Sequence, residues 1–152
     1  MNIIITANTC WNLINFRKTL ISQLLKKNKV IVIANKDNFM TELTRMGCKV
    51  YDPYIESRST SIFKEINLLL RYFKLIKKLK PDIVLSFTIK PNIYSSICCD
   101  ILKIKNICNI TGLGIGLQSN SYLRFLLIFL LKISVKNSNK IFFQNHDDIK
   151  FF

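Results

Sequence analysis

Glycine is scarce in this chain, with four residues in 152 and none before Gly47. A dinucleotide-binding G-x-G-x-x-G turn after the first strand is therefore excluded, because close approach of backbone to a pyrophosphate needs residues without side chains. A Walker-type phosphate loop is missing too, which argues against nucleotide hydrolysis. Histidine occurs once, at His146, and the five cysteines (Cys10, Cys48, Cys98, Cys99, Cys108) contain no C-x-x-C spacing. That set supports neither a structural zinc site nor a disulfide framework, and reads as reduced, mostly buried thiols in a cytosolic compartment. The longest unbroken apolar run, Phe125 to Leu131, lies between Arg124 and Lys132. It is far short of the ~20 residues that span a bilayer. No basic segment with a long apolar core opens the chain, so a signal peptide is not expected.

Acidic residues are few as well: nine Asp and Glu face 23 Lys and Arg, a formal charge of +14. This balance favours contact with a polyanion or an anionic membrane surface, and it leaves open a solvated basic surface without a dedicated partner. Hydrophobic residues make up 49% and include 11 Phe, enough to fold as one domain with a real core.

Short β-type runs alternate with helical patterns along the whole chain. Strands are expected at Ile3–Ile5, Val30–Ala34, Lys49–Tyr51, Ile83–Phe87, Ile107–Ile110 and Ile141–Phe143. Helices are expected at Leu13–Lys27, Asn38–Met46, Ser61–Lys80, Asn92–Leu102 and Tyr122–Lys136, with Gly47 and Pro81 as stop signals and Pro91 as a first-turn proline. The order implies an α/β protein: a parallel sheet with helices on both faces.

In such a sheet every strand ends on the same edge, and ligands bind there. Four segments converge on it. The stretch TANTCWNLINFR leaves the first strand with Asn8, Trp11 and Asn12, then Asn15 and Arg17 one turn on. FTIKPNIY offers Thr88, Lys90 and Asn92, where Lys90 suits a phosphate and the others a hydroxyl. NITGLGIGL supplies Thr111, Gly112 and Gly114 in a loop able to turn N–H groups toward a ligand or to be a flexible connection. FFQNHDD supplies Gln144, Asn145, His146 and Asp147, with His146 and Asp147 the candidate acid/base groups. Asp147 and Asp148 also read as the cap of a helix starting at Ile149. Trp11 reads as a platform for a sugar ring or as an aromatic capping the core. The set suits a polyhydroxylated, phosphorylated ligand.

Two helices stand out. On Ser61–Lys80, Ile62, Ile66, Leu69, Phe73 and Ile76 form an apolar face, with Lys64, Arg71, Lys74 and Lys78 opposite. It reads as a sheet-packing helix whose lysines are solvated or lie on a membrane. The helix Tyr122–Lys136 is apolar around most of its circumference, so Arg124, Phe125 and Phe129 are candidates for a membrane interface or for contact with another domain.

Taken in order, NTCWNLINFR, PDIVLSFTIKPNIY, NITGLGIGL and KIFFQNHDD resemble the N-terminal half of glycosyltransferase family 4 enzymes, nearest to those of bacterial surface polysaccharides and lipid-linked oligosaccharides. The resemblance covers Met1 to Phe152 and implies a Rossmann-like domain, one of the two that face each other in the GT-B fold. It implies an acceptor-binding role for the loop residues above, a retaining reaction without metal or other cofactor, and a nucleotide-sugar donor held by a second domain. It also implies a peripheral position on the inner face of the cytoplasmic membrane through the basic and Leu/Phe-rich helices. A complete enzyme of this family is about twice this length. The donor-binding half, with its E-x7-E signature, is not in this sequence, so the chain alone is expected not to transfer sugar. Competing expectations are a basic α/β module that binds nucleic acid, disfavoured because most Phe fall in core patterns, and a scaffold for a separate catalytic subunit.

Overall fold

A computed structural model describes residues 1–55, 62–112 and 121–150, except the side chains of Ile62, residues 121–127 and Asp147. Among the described residues six strands and six helices alternate: β1 (Asn2–Thr9), α1 (Cys10–Leu25), β2 (Lys29–Asn35), α2 (Met40–Arg45), β3 (Lys49–Tyr51) and α3 (Ile62–Leu79), then β4 (Ile83–Phe87), α4 (Ile89–Leu102), β5 (Lys105–Ile110), α5 (Ser121–Val135), β6 (Lys140–Phe143) and α6 (His146–Ile149). The strands form one sheet in the order β3-β2-β1-β4-β5-β6, and every pairing is parallel. The expected α/β class and element order are both present.

Right-handed crossovers dictate the layers. From β1 outward to β3 they place α1 and α2 on one face, where Leu13, Ile21 and Leu43 pack on Ile3, Ile5, Val30 and Val32. From β3 back across to β6 they place α3, α4 and α5 on the other. There Leu68, Tyr72 and Ile76 cover Ile4, Ile31 and Ile33, and Leu131 and Val135 cover Cys108 and Ile110. Central strands are thus buried on both sides, which explains their unbroken apolar runs. Each fully buried Ile or Leu contributes roughly 1.5–3 kcal/mol through area removed from water.

The fold corrects several sequence expectations. No loop follows the first strand: β1 continues to Thr9, which is extended and caps α1 by accepting the Asn12 N–H on its hydroxyl at 3.2 Å. Helix α3 is rotated from the expected phase, with Leu68, Tyr72 and Ile76 inside while Ile66 is 51% exposed. Helix α4 starts at Ile89, so Pro91 is its third residue, still within the first turn where no N–H has an intrahelical partner. Helix α6 starts at His146, and its cap is Asn145, whose Oδ1 accepts the Asp148 N–H at 2.7 Å. Asp147 and Asp148 are therefore inside the helix rather than before it.

Beneath α4 the sheet is polar, and several of its side chains pair with one another. Thr6 and Ser95, both buried, share a hydrogen bond at 3.1 Å, and Ser96 meets Cys108 Sγ at 3.1 Å. Small side chains let α4 approach β1, β4 and β5 closely. Their mutual bonds offset the cost of removing hydroxyls from water.

Candidate functional site

Strand order reverses between β1 and β4, the crevice where open parallel sheets hold ligands beyond their carboxyl ends. Among the described residues, four polar atoms at this edge are buried without a hydrogen-bond partner: Asn8 Oδ1, Arg17 Nε, Asn92 Oδ1 and Asn109 Oδ1. Leaving such an atom unsatisfied costs about 1–3 kcal/mol, so a group of them at one edge is a candidate for a ligand's hydrogen bonds; Tyr72 Oη and Asn106 Oδ1, away from this edge, are unsatisfied too.

Contacts connect the cluster. The Arg17 guanidinium stacks 4.9 Å above the ring of Phe87, the last residue of β4. Phe87 pairs in register with Asn109, and Asn92 Nδ2 donates to the Asn109 carbonyl at 3.0 Å. Asn8 lies two residues nearer the carboxyl edge than the Thr6–Ser95 contact, in the Thr6–Thr9 segment where the pairing of β1 with β2 shifts register. Arg17 donates from Nη1 to the Phe16 carbonyl at 2.8 Å, and among the described residues no carboxylate pairs with it. Desolvation pushes its pKa below the usual arginine value. A half-buried cation stacked on an aromatic ring, with Nε unused, suits an incoming oxyanion.

Backbone strain lies at the same edge. Thr88, which caps α4, has φ +68° and ψ 160°, a conformation used almost only by glycine. Its hydroxyl is turned back onto the Phe87 carbonyl. Gly112, just beyond β5, has φ +115°, where the absent Cβ matters, and open space surrounds the position a Cβ would take.

The remaining sequence candidates divide. Trp11 is 46% exposed and meets exposed Phe16 edge-to-face at 5.5 Å, so it caps no core. Asn12 and Thr111 are half-buried at the edge. Asn15 is bonded back to the Trp11 carbonyl at 2.9 Å. Lys90 is engaged by Glu65 at 2.7 Å, and Tyr94 donates to the same carboxylate, so the Lys90 ammonium serves to join α3 to α4. Burial and Glu65 raise the Tyr94 pKa well above its usual range. Asn145 is committed to capping α6, and His146 and Gln144 are exposed. Gly114 and the side chains of Arg124, Phe125 and Asp147 lie outside the described residues.

Away from the edge, Lys64, Lys74 and Lys78 are exposed on α3 beside exposed Phe63, Ile66 and Leu70, as are Phe129, Leu130 and Ile133 on α5. Arg71 departs from the expected basic face, reaching back to stack 5.1 Å above Tyr54 and donate to the Pro53 carbonyl at 3.4 Å. Among the described residues no helix is long and apolar enough to cross a membrane, and no group of three potential ligands could hold a metal. All five cysteines are buried and free. A cavity of about 220 Å³ at the opposite edge of the sheet, lined by Asp100, Lys103, Asn106 and Ser138, is remote from the strand ends described above.

A doubly wound parallel sheet with helices on both faces is a Rossmann-like α/β domain, the fold shared with proteins of GT-B type. Solved structures with the same fold include a putative UDP-N-acetylglucosamine 2-epimerase from Listeria monocytogenes, 16% identical with a TM-score of 0.67, matched over 99% of this chain and 41% of that one. Anabaena Alr3699/HepE, solved with UDP and glucose, is 12% identical with a TM-score of 0.64 over 93% and 37%. Acinetobacter baumannii MurG is 18% identical with a TM-score of 0.55 over 71% and 33%. The chain thus spans well under half of each. The glycosyl transferase 4-like family model matches residues 7–145, and the chain belongs to that family. No curated protein sequence matches it.

Proposed function

We propose that this chain is the acceptor-binding, membrane-associating half of a retaining glycosyltransferase. That enzyme moves a sugar from a nucleotide-sugar to a lipid-linked or polysaccharide acceptor at the inner face of the cytoplasmic membrane. The observation that carries the reading is the cluster of unsatisfied buried atoms on the switch-point edge. Asn8, Asn92 and Asn109 offer acceptor oxygens to sugar hydroxyls, Arg17 offers N–H to a phosphate oxygen, and Trp11 offers an exposed ring face. The exposed lysines and apolar residues of α3, with the apolar residues of α5, suit an anionic bilayer surface.

The edge carries hydrogen-bonding and positioning groups, while the described acid/base candidate, His146, stands exposed outside the cluster. Donor binding and the chemical step then belong to a second domain or subunit, and this half does not transfer sugar without it.

The test is a titration of the purified chain with a polyprenyl-diphosphate-linked sugar in detergent, followed by the fluorescence of Trp11, the single tryptophan. Saturable binding, weakened about tenfold or more by Arg17→Ala through loss of a charge-assisted hydrogen bond, is expected. Equal binding by wild type and Arg17→Ala, or binding of the nucleotide-sugar alone, contradicts the proposal.

A further inference from the structure

The first-turn N–H groups of α1 lie at the position where a doubly wound sheet ordinarily receives a phosphate. Here two of them, on Trp11 and Asn12, are already used. Thr9 accepts the Asn12 N–H, and Asp37, 26 residues away in the connection after β2, places Oδ2 2.8 Å from the Trp11 nitrogen. The other carboxylate oxygen accepts the Phe39 N–H at 2.9 Å, so both oxygens of Asp37 are held and its side chain is fixed over the helix end. The carboxylate thereby supplies a full negative charge and an acceptor oxygen where a ligand phosphate would supply the same. An independent feature agrees: residues 6–12 contain no glycine, so a phosphate would also meet side chains there.

We propose that Asp37 is an internal anion that closes the α1 end of the crevice to phosphate and so determines which ligands the edge accepts. A second anion at this helix end would have to displace a carboxylate bonded at two points, or sit against its charge. A phosphorylated ligand must then place its charge toward Arg17 and Phe87, and a nucleotide diphosphate cannot use the usual cradle. This consequence for ligand choice rests on reading the edge as the ligand face, whereas the closure itself is separately testable.

Inorganic phosphate is titrated into wild type, Asp37→Ala and Asp37→Ser at constant ionic strength, with Trp11 fluorescence as the readout because its own N–H is the group in question. Serine keeps a short acceptor for the Phe39 N–H but removes the charge, which guards against a folding failure in the alanine variant. Wild type should bind phosphate only weakly, through Arg17, and a folded variant should bind it at least about tenfold more tightly. Equal response in wild type and variants, or folded variants that remain silent, overturns the closure. Titrating the same proteins with the lipid-diphosphate sugar separates the two ideas. Sugar binding by wild type with silent variants removes only the closure. Phosphate-binding variants beside a wild type that takes no sugar ligand remove only the reading of the edge.

Discussion

Glu65 and Lys90 tie the start of α3 to the start of α4, and breaking that tie has a calculable cost. Their charged atoms are 2.7 Å apart, with side chains 25% and 15% exposed. At an effective dielectric of about 20 the gross attraction is about 6 kcal/mol. Desolvation of both ions removes most of it, leaving a net coupling of about 1–2 kcal/mol. Glu65→Gln keeps an acceptor for the Tyr94 hydroxyl but removes the negative charge 2.7 Å from the largely buried Lys90 ammonium. It should destabilise the fold by about 2 kcal/mol, a fall in Tm of about 4–8 °C for a domain of this size. Lys90→Met removes the other partner, and the double variant closes a mutant cycle in which contacts made elsewhere by either residue cancel. Urea unfolding of the four proteins measures the coupling. Additive single effects, with coupling under about 0.3 kcal/mol, would refute the tie as a stabilising contact.

Thr88→Gly should raise stability by about 1 kcal/mol in urea unfolding, because glycine adopts the Thr88 backbone conformation without strain; a destabilised variant would count against strain at that cap. Burial pushes the Cys10 and Cys48 thiols up to about 11, and Cys98 and Cys99 up to about 12, from 9.0. The folded state therefore keeps protons that the unfolded chain releases. Stability should be full below about pH 9 and fall by about 1.4 kcal/mol per pH unit for each thiol as pH rises toward those values. A Tm that stays level from pH 8.5 to 10.5 would contradict that. Replacing Lys74 and Lys78 together by Gln should weaken partition onto phosphatidylglycerol vesicles by roughly thirtyfold, or ~2 kcal/mol, at low salt and leave neutral vesicles unaffected. Unchanged sedimentation with anionic vesicles would remove α3 from the membrane surface.

The parts of this fold legible in the sequence are those that physics makes local. Strands β3 and β4 fall where their residues predict, and β4 is apolar apart from Ser86 and covered by helices on both sides. The end of β1 was hidden because Thr6, Asn8 and Thr9 are polar; Thr6 is fully buried all the same, its hydroxyl satisfied by Ser95 from α4. On helix α3, Leu68 and Tyr72 flank the expected apolar face, and they with Ile76 take the buried positions while Ile66 stays exposed. The positions of Arg17 and Asn92 at the carboxyl edge were readable from topology and residue type, and the structure puts Arg17 against Phe87 and Asn92 against Asn109. Asn109 was missed because it lies within β5 rather than after it, although strand alternation ending at Ile110 could have found it. The engagements of Asp37 with α1 and of Lys90 with Glu65 join residues 26 and 25 positions apart, and no local pattern encodes them.

The central claim is that the carboxyl edge at the β1/β4 switch point is the ligand face. It is tested most directly by mapping backbone amide shifts in nuclear magnetic resonance spectra as a polyprenyl-diphosphate-linked sugar is added to the isotopically labelled chain. The account predicts shifts concentrated at Asn8, Arg17, Thr88, Asn92, Asn109 and Thr111, with Asn106 and Asn139 at the opposite edge unmoved. Shifts centred on Asn106 and Asn139, or spread evenly over the surface, would contradict it.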